Sequence, residues 1–381
     1  MLGLAVLSLC AWIYLLAFRG GFWRARERDD RLPDYPGPAR WPSVVAVVPA
    51  RDEADVIERS IGSLLAQDYP GPLRIVLVDD DSGDGTGAAA RALAGGSRLT
   101  VIAGRQLAPG WTGKLWAVAQ GVEAAGAADD PPDYLLLTDA DIEHAPDNLR
   151  RLVTHAEAKG LALDSLMVRL AVTTWAERLM IPAFVFFFAM LYPFAWANDP
   201  RRPLAAAAGG CMLARREALE RAGGMAAIRG RIIDDCALAE RMKGEGPIWL
   251  GLTNRAWSLR PYGGLAAIGA MIARSAYAQL GYSPWILAGA LVAMAAIYLA
   301  PPMIFAFAGG PAAMVAGAAW LLMAAAFQPM LRVYRRSPLW GLALPLIAAL
   351  YLAFTVRSAL EVWRGRGGQW KGRAQAMAAR P

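Results

Sequence analysis

Two histidines in 381 residues leave little imidazole chemistry to distribute, and the three cysteines (Cys10, Cys211 and Cys236) stand far apart with no paired spacing. A disulfide scaffold is excluded, and so is a cysteine–histidine zinc site, since no cysteine lies near His144 or His155 in the chain. No G-x-G-x-x-G follows the first apolar strand and no G-x-x-x-x-G-K-[ST] occurs, so neither a dinucleotide fold of the usual kind nor a P-loop is supported. Charge is also missing over long stretches: residues 1–18, 179–198, 285–331 and 338–356 carry no Asp, Glu, Lys or Arg. What is abundant is apolar surface, with 56% hydrophobic residues and a mean hydropathy of +0.32 beside 19% charged residues. Such a mixture must be segregated along the chain, which suggests a water-facing domain with membrane segments attached.

The net charge of +7 follows the same division. Arg19, Arg24, Arg26, Arg28 and Arg31 trail the first uncharged stretch, Arg332, Arg335 and Arg336 a later one, and Arg364, Arg366, Lys371 and Arg373 the last. Arginine clusters beside apolar runs are a membrane pattern, not a nucleic-acid one, and place the following domain on the cytoplasmic side of the inner membrane. Residues 1–18 are expected to be an uncleaved N-terminal anchor, because no basic n-region or small-residue cleavage site accompanies them. Residues 285–356 are expected to form a C-terminal transmembrane region, preceded by an amphipathic interface segment at 263–283 and followed by a basic tail at 357–381. Two spans fit 285–331. A full third span at 338–356 would carry the basic tail outside, so that stretch either re-enters or breaks the positive-inside pattern. The aromatic stretch 179–198, cut by Pro182 and Pro193, is expected to lie in the interface or line a lipid pocket.

Between about 42 and 262 short apolar strands alternate with helical stretches. Strands are expected at Ser43–Val48, Leu73–Val78, Leu99–Ile102 and Tyr134–Thr138, and helices at Glu53–Ala66 and Gly85–Leu93. Strands without polar alternation, joined by helices, indicate an α/β fold with a parallel sheet whose ligands gather at the strands' carboxyl ends. Carboxylates crowd that edge: Pro49-Ala-Arg-Asp-Glu53, Asp79-Asp-Asp-Ser-Gly-Asp-Gly-Thr86 and Asp139-Ala-Asp141 each follow a strand. Grouped acids repel unless a cation or ligand donors neutralise them, and two hard oxygens at alternate positions suit Mg2+ or Mn2+. Taken alone, Asp139 equally suits a helix cap with Asp141 solvated.

These motifs, with Gly113-Lys114, Ala117, Gly121 and then Asp234-Asp235 and Leu238, resemble in order and spacing the family 2 inverting glycosyltransferases of GT-A fold, a Rossmann-like nucleotide-diphospho-sugar transferase domain, over 42–262. More narrowly, Ile232–Leu238, Arg274–Ser283 and Trp370-Lys-Gly-Arg373 resemble the hopene-associated members. The resemblance implies that Pro49, Ala50, Arg51 and Glu53 line a nucleobase and ribose pocket, with Asp80 accepting from the base and Lys114 beside the diphosphate. It implies a divalent metal on Asp139 and Asp141, with Asp139 nearer the ribose or sugar. Asp235 becomes the general base for an acceptor hydroxyl, and Asp234 its neighbour that raises its proton affinity or orients it. The partners implied are a nucleoside diphosphate sugar donor, a lipid acceptor and the membrane, with no nucleic acid. Two departures stand out: no Gln-x-x-Arg-Trp element of chain-building synthases is present, and Asp234 stands where many relatives have Glu. A sugar transferase acting on polyprenyl phosphate stays open through Arg201, Arg202, Arg215 and Arg216, as does a silent nucleotide-sugar-binding scaffold. A transporter fits less well, since the long C-terminal apolar run has no charged group.

Overall fold

Strands buried on both faces need no polar alternation, and three of the apolar runs fold accordingly while the run at 99–103 forms a partly exposed edge strand. β1 (Val44–Ala50), β2 (Leu73–Asp79), β3 (Leu99–Ala103) and β4 (Tyr134–Thr138) pair in parallel in the order β3-β2-β1-β4. These elements come from a computed structural model that describes residues 1–93, 96–127, 130–370 and 373–374; Lys371 and residues 375–381 of the expected basic tail lie outside the described residues. On β1, Val44, Ala46, Val48 and Ala50 enter one apolar core while Val45 and Val47 enter the other. Each valine so buried contributes about 1.5–3 kcal/mol of transfer free energy. Helix Ile57–Leu65 covers the first face through Ile57, Ile61 and Leu64, and helix Gly113–Gly126 covers the second through Leu115, Ala117 and Val118.

The sheet does not stop there. β5 (Ile142–His144), β6 (Leu163–Arg169), β7 (Cys211–Arg215) and β8 (Ile248–Ser258) extend it to eight strands in the order β3-β2-β1-β4-β7-β6-β8-β5. β7 runs antiparallel to both β4 and β6, and β5 antiparallel to β8. The sheet as a whole is therefore mixed, with the four strands expected from the sequence forming its parallel half. The reversal matters for the site: β7 begins where β4 ends, with Cys211 opposite Thr138, so the preceding Gly209-Gly210 is delivered to the carboxyl edge of β1–β4.

Helix Gly113–Gly126 approaches the sheet closely at Gly121. A Cβ there would lie 2.4 Å from Val47 Cγ1 and 3.1 Å from Val78 Cγ2, both on buried strands that cannot withdraw. Gly121→Ala is expected to destabilise the α/β unit by about 1–3 kcal/mol through overpacking, despite alanine's better helix propensity. A lowered thermal unfolding midpoint of the detergent-purified protein checks this; an unchanged midpoint would mean the helix can lift away freely.

The described chain divides into two compact units, the α/β unit (27–171 and 196–260) and a helical one (1–26, 172–195 and 261–367). In the helical unit, four segments are long and apolar enough to cross a membrane: Trp175–Ala197, Pro284–Phe307, Gly310–Val333 and Pro338–Trp363. Helix Leu2–Phe18 is shorter, at 17 residues, about 25 Å at 1.5 Å per residue. Within the stretch 179–198, a helix begun at Trp175 and capped by Thr174 in a reciprocal capping box with Glu177 runs to Leu191, and after a break at Tyr192-Pro193 a short helix follows at Phe194–Ala197. Pro301-Pro302 does not separate two spans; the break falls at Ala308-Gly309. The helix absorbs the prolines with a π turn at Ala295–Leu299, and the carbonyls left without their usual partners are taken by other side chains: Ser8 Oγ donates to Ala296 O at 2.5 Å and Trp12 Nε1 to Ile297 O at 3.1 Å. Trp285, Phe307, Met314 and Leu339 are each at least 75% exposed on this unit, an apolar exterior that water does not favour.

Candidate active site

The carboxyl edge of the parallel strands is built from two interlocked loops. After β1, the Asp52 amide donates to Ser82 Oγ and the Ala54 amide to Asp84 Oδ2, while the Gly83 amide returns a bond to Asp52 Oδ1, all at 2.9–3.1 Å. Asp52 (φ +51°) and Asp81 (φ +58°) both adopt the left-handed conformation, which aspartate tolerates better than most residues. Pro49 and Ala50 form the end of β1, and the Asp80 amide donates to Ala50 O at 2.8 Å. Arg51 reaches across to the carbonyls of Asp80 and Asp81 and lies 3.9 Å from the Asp80 carboxylate, which is wholly buried. Arg51 and Asp80 are thereby joined as one wall.

A second group gathers around Lys114. Thr112 caps helix Gly113–Gly126 by accepting from the Leu115 amide, which sets Lys114 in the first turn. Its Nζ lies 2.7 Å from Asp139 Oδ1, just beyond β4, and 3.7 Å from Asp234 Oδ2, at the start of helix Asp234–Lys243. Asp235, next in that helix, is held by two backbone donors, the Gly209 amide on Oδ2 at 3.1 Å and the Cys236 amide on Oδ1 at 2.7 Å. Burial and the adjacent Asp234 push the Asp235 carboxyl up to about 6, with the Cys236 amide, Lys114 and the Gly209 amide acting in the opposite direction.

A third group centres on Asp141. Its Oδ2 accepts from Ser258 Oγ at 3.1 Å, and burial, then Asp139, then Glu53 push its carboxyl up to about 6. Glu53 pairs with Arg260, whose Nη2 also meets Asp55 Oδ1 at 2.8 Å. Among the described residues no cluster of three or more His, Cys, Asp or Glu side chains is arranged to hold a metal unaided. Asp139 and Asp141 still fit a divalent cation: their mutual repulsion, seen in the raised proton affinity of Asp141, is what a cation relieves, and Mg2+-like ions commonly take one or two carboxylates plus substrate phosphates.

All the sequence-derived site residues (Pro49, Ala50, Arg51, Glu53, Asp80, Lys114, Asp139, Asp141, Asp234 and Asp235) therefore lie in the α/β unit, in three linked groups. Ser258 and Arg260 were not legible, because they join the site from 117 and 207 residues away, at the end of β8. The basic residues proposed for a phosphate acceptor behave differently. Arg215 sits opposite Tyr134, at the amino end of β4 and so the far edge of the sheet from Asp139, and pairs with Glu157; Arg216 pairs with Glu220. Arg201 and Arg202 both pair with Asp199. Neither histidine joins the site: His144 is buried between Thr138 and Asn148, and His155 is paired with Asp164.

Residues 45–223 match the family model for Glycosyl transferase family 2. The succinoglycan biosynthesis protein ExoO of Rhizobium meliloti (strain 1021) is 33% identical over 129 residues, covering 33% of this chain and 34% of that protein. An N-acetylglucosaminyltransferase of Mesorhizobium japonicum is 30% identical over 152 residues, covering 39% and 34%. The chain thus spans about a third of the length of the curated relatives it matches. Among solved structures, the mannosyltransferase PcManGT of Pyrobaculum calidifontis, in complex with GDP-Man and Mn2+, superimposes with a TM-score of 0.56 at 22% identity over 95% of this chain and 99% of its own. The fold is that of a GT-A-like glycosyltransferase with long apolar helices.

Proposed function

We propose that this chain, whose residues 45–223 form a family 2 glycosyltransferase domain on a GT-A-like fold, transfers a sugar from a nucleoside diphosphate sugar to a hydroxyl of a membrane lipid with inversion at the anomeric carbon. The observation that carries the reading is the convergence of Lys114, Asp139, Asp234 and Asp235. Lys114 lies within ion-pair distance of Asp139 and Asp234, and Asp235 follows Asp234 in the same helix, so four groups from three remote parts of the sequence meet at the edge where an α/β sheet presents ligands. In this reading Pro49, Ala50, Arg51, Glu53 and Asp80 form the nucleoside wall. Asp139 and Asp141 would hold a divalent metal, which when bound would supply positive charge beside the diphosphate. Lys114 supplies a further positive charge beside it. Asp235 takes the acceptor's proton as its oxygen attacks; each of its carboxylate oxygens keeps a second lone pair after accepting one backbone N–H. A single displacement inverts the sugar, and Asp234 raises the proton affinity of the base.

A lipid acceptor is supported by the four membrane-length helices, one of which is inserted in sequence between the metal and base motifs. The likeness of Ile232–Leu238 and Arg274–Ser283 to hopene-associated glycosyltransferases suggests a hopanoid or a related polycyclic alcohol, and the arginine clusters support a domain on the cytoplasmic side of the inner membrane. Polyprenyl phosphate is less favoured, because Arg215 and Arg216 lie at the far sheet edge and Arg201 and Arg202 are paired with Asp199. Detergent-purified protein incubated with a panel of nucleoside diphosphate sugars, Mn2+ or Mg2+ and membrane lipid extract tests the reading. Metal-dependent release of nucleoside diphosphate together with a hexose-sized mass shift on a neutral lipid is expected. A donor that binds without being turned over would instead indicate a binding scaffold.

A further inference from the structure

The helical unit (1–26, 172–195 and 261–367) contains eleven arginines, no lysine and two acids. Both acids are engaged: Glu177 in the cap of its helix and on the Tyr262 amide, Glu361 on Arg357. Arg24, Arg26, Arg332, Arg335, Arg364 and Arg366 are exposed, and among the described residues none of these six has an acidic partner. A unit so rich in one sign of charge, with its few acids already used, must find its counter-charge outside itself. Whether the six arginines present one surface depends on where the last apolar segment, Pro338–Trp363, begins and ends.

That segment is long enough to cross a membrane, but its contacts turn it back. Segment Pro284–Phe307 and helix Gly310–Val333 meet at the Ala308-Gly309 turn and run antiparallel, with Ile304 clustered on Ala316 and Phe305 edge-on to Trp320 at 5.9 Å. Pro284 and Val333 therefore lie towards the same end of the unit. After Val333 the chain climbs back along the helix it has just left. Gln328 Nε2 donates to Pro338 O at 3.0 Å, a Cβ on Gly341 would lie 2.9 Å from Ala324 O, and Trp320 Nε1 donates to Leu342 O at 3.2 Å. Helix Leu344–Trp363 then descends: Tyr351 meets Phe187, the Tyr277 amide donates to Ser358 Oγ at 3.0 Å, and Ala359 clusters with Leu287, in the first turn of helix Pro284–Met294. Entry at Arg336 and exit at Arg364 thus share one end. The first helix points to it as well. Ala5 clusters with Ile304 and Ala316 near the Ala308-Gly309 turn, whereas beyond Phe18 the Phe22 ring packs on Phe186 and Phe186 on Phe327.

We propose that Pro338–Trp363 is a re-entrant hairpin, and that the arginine rim it completes at one end of the helical unit binds the headgroups of anionic phospholipids. The hairpin returns Arg364 and Arg366 to the side of Arg24 and Arg335, which removes the conflict with the positive-inside pattern. Guanidinium forks match phosphate oxygens in pairs, and exposed Leu339 and Trp363 supply apolar surface beside the rim. The proposal rests on the membrane reading of this unit, which retention of the full-length chain in carbonate-washed membranes tests separately. In a Cys10→Ala background, Ser337→Cys and Arg366→Cys are labelled with an impermeant maleimide in inverted and in right-side-out vesicles. Both positions should react in the same vesicle orientation. Reaction from opposite sides in a washed membrane would overturn the hairpin alone, and loss of the chain on washing would overturn the membrane reading with it. The detergent-purified protein is then titrated with mixed micelles of phosphatidylglycerol or phosphatidylcholine. Phosphatidylglycerol should bind at least about tenfold more tightly, weakened about fivefold by Arg335→Gln and about fivefold again by adding Arg366→Gln. Equal affinity for the two lipids, undiminished binding by the double variant, or displacement by an equal concentration of inorganic phosphate would each overturn the lipid surface. None of these readouts depends on sugar transfer.

Discussion

Asp235→Asn should lower kcat by about 10²–10⁴-fold while leaving the affinity for the nucleoside diphosphate sugar unchanged. The carboxylate combines a raised proton affinity with a fixed geometry, as Asp141 does, but unlike Asp141 it is aimed by two backbone amides and lies outside the expected metal pair: burial beside Asp234 pushes it up to about 6. Only the deprotonated form can accept the acceptor's proton. In the wild type, kcat/KM should therefore fall about tenfold per pH unit below about 6 and level off above it. Asparagine keeps the shape but replaces one acceptor oxygen with a donor, so one of the two backbone bonds is lost, at about 0.5–1.5 kcal/mol. A thermal midpoint recorded alongside separates that modest loss of stability from the loss of turnover. Donor binding by calorimetry and turnover by nucleoside diphosphate release complete the measurement; parallel loss of both would remove Asp235 from the role of base.

How much of this site could be read from residues alone depended on whether its parts lie within one local run. Each carboxylate motif directly follows a buried apolar strand, so the sequence alone locates Asp80, Asp139 and Asp141 at the sheet edge. The second half of the sheet was not legible in the same way. β6 and β8 carry polar residues such as Asp164, Ser165 and Asn254, and β7 is only five residues long, so none offers the continuous apolar run that identified β1. Ser258 and Arg260 inherit that obscurity, since nothing near them in sequence signals that the end of β8 passes Asp141 and Glu53. In the helical unit the obscurity has another origin. Pro301-Pro302 and Gly309-Gly310-Pro311 both interrupt the apolar run 285–331, and sequence does not choose between them; a π turn and donors from Ser8 and Trp12 satisfy the carbonyls near the prolines, so the break falls at Ala308-Gly309. Only tertiary structure could supply those donors.

Lys114→Met should have the second large effect, and a distinctive one. The lysine touches Asp139 at 2.7 Å and Asp234 at 3.7 Å, and its charge is one of the influences that hold the Asp235 carboxyl down. Removing it leaves these carboxylates without that cation, so the proton affinity of Asp235 rises and the acidic limb of kcat/KM moves to higher pH. Loss of a charge-assisted contact to the diphosphate, at about 1.5–3 kcal/mol, should also raise the donor KM by roughly 10–150-fold. The two effects separate by pH: the deficit at pH 6 should exceed that at pH 8, where the base is deprotonated in both proteins. Lys114→Arg, which keeps the charge but spreads it over a planar fork, should restore the position of the limb better than it restores the donor KM. A pH profile in Lys114→Met that is uniformly lower but not displaced would show that the lysine acts on the donor alone. A displaced profile would instead make Lys114 the link by which the diphosphate and the base sense one another, because a lysine drawn towards the donor's phosphates restrains the proton affinity of Asp235 less strongly.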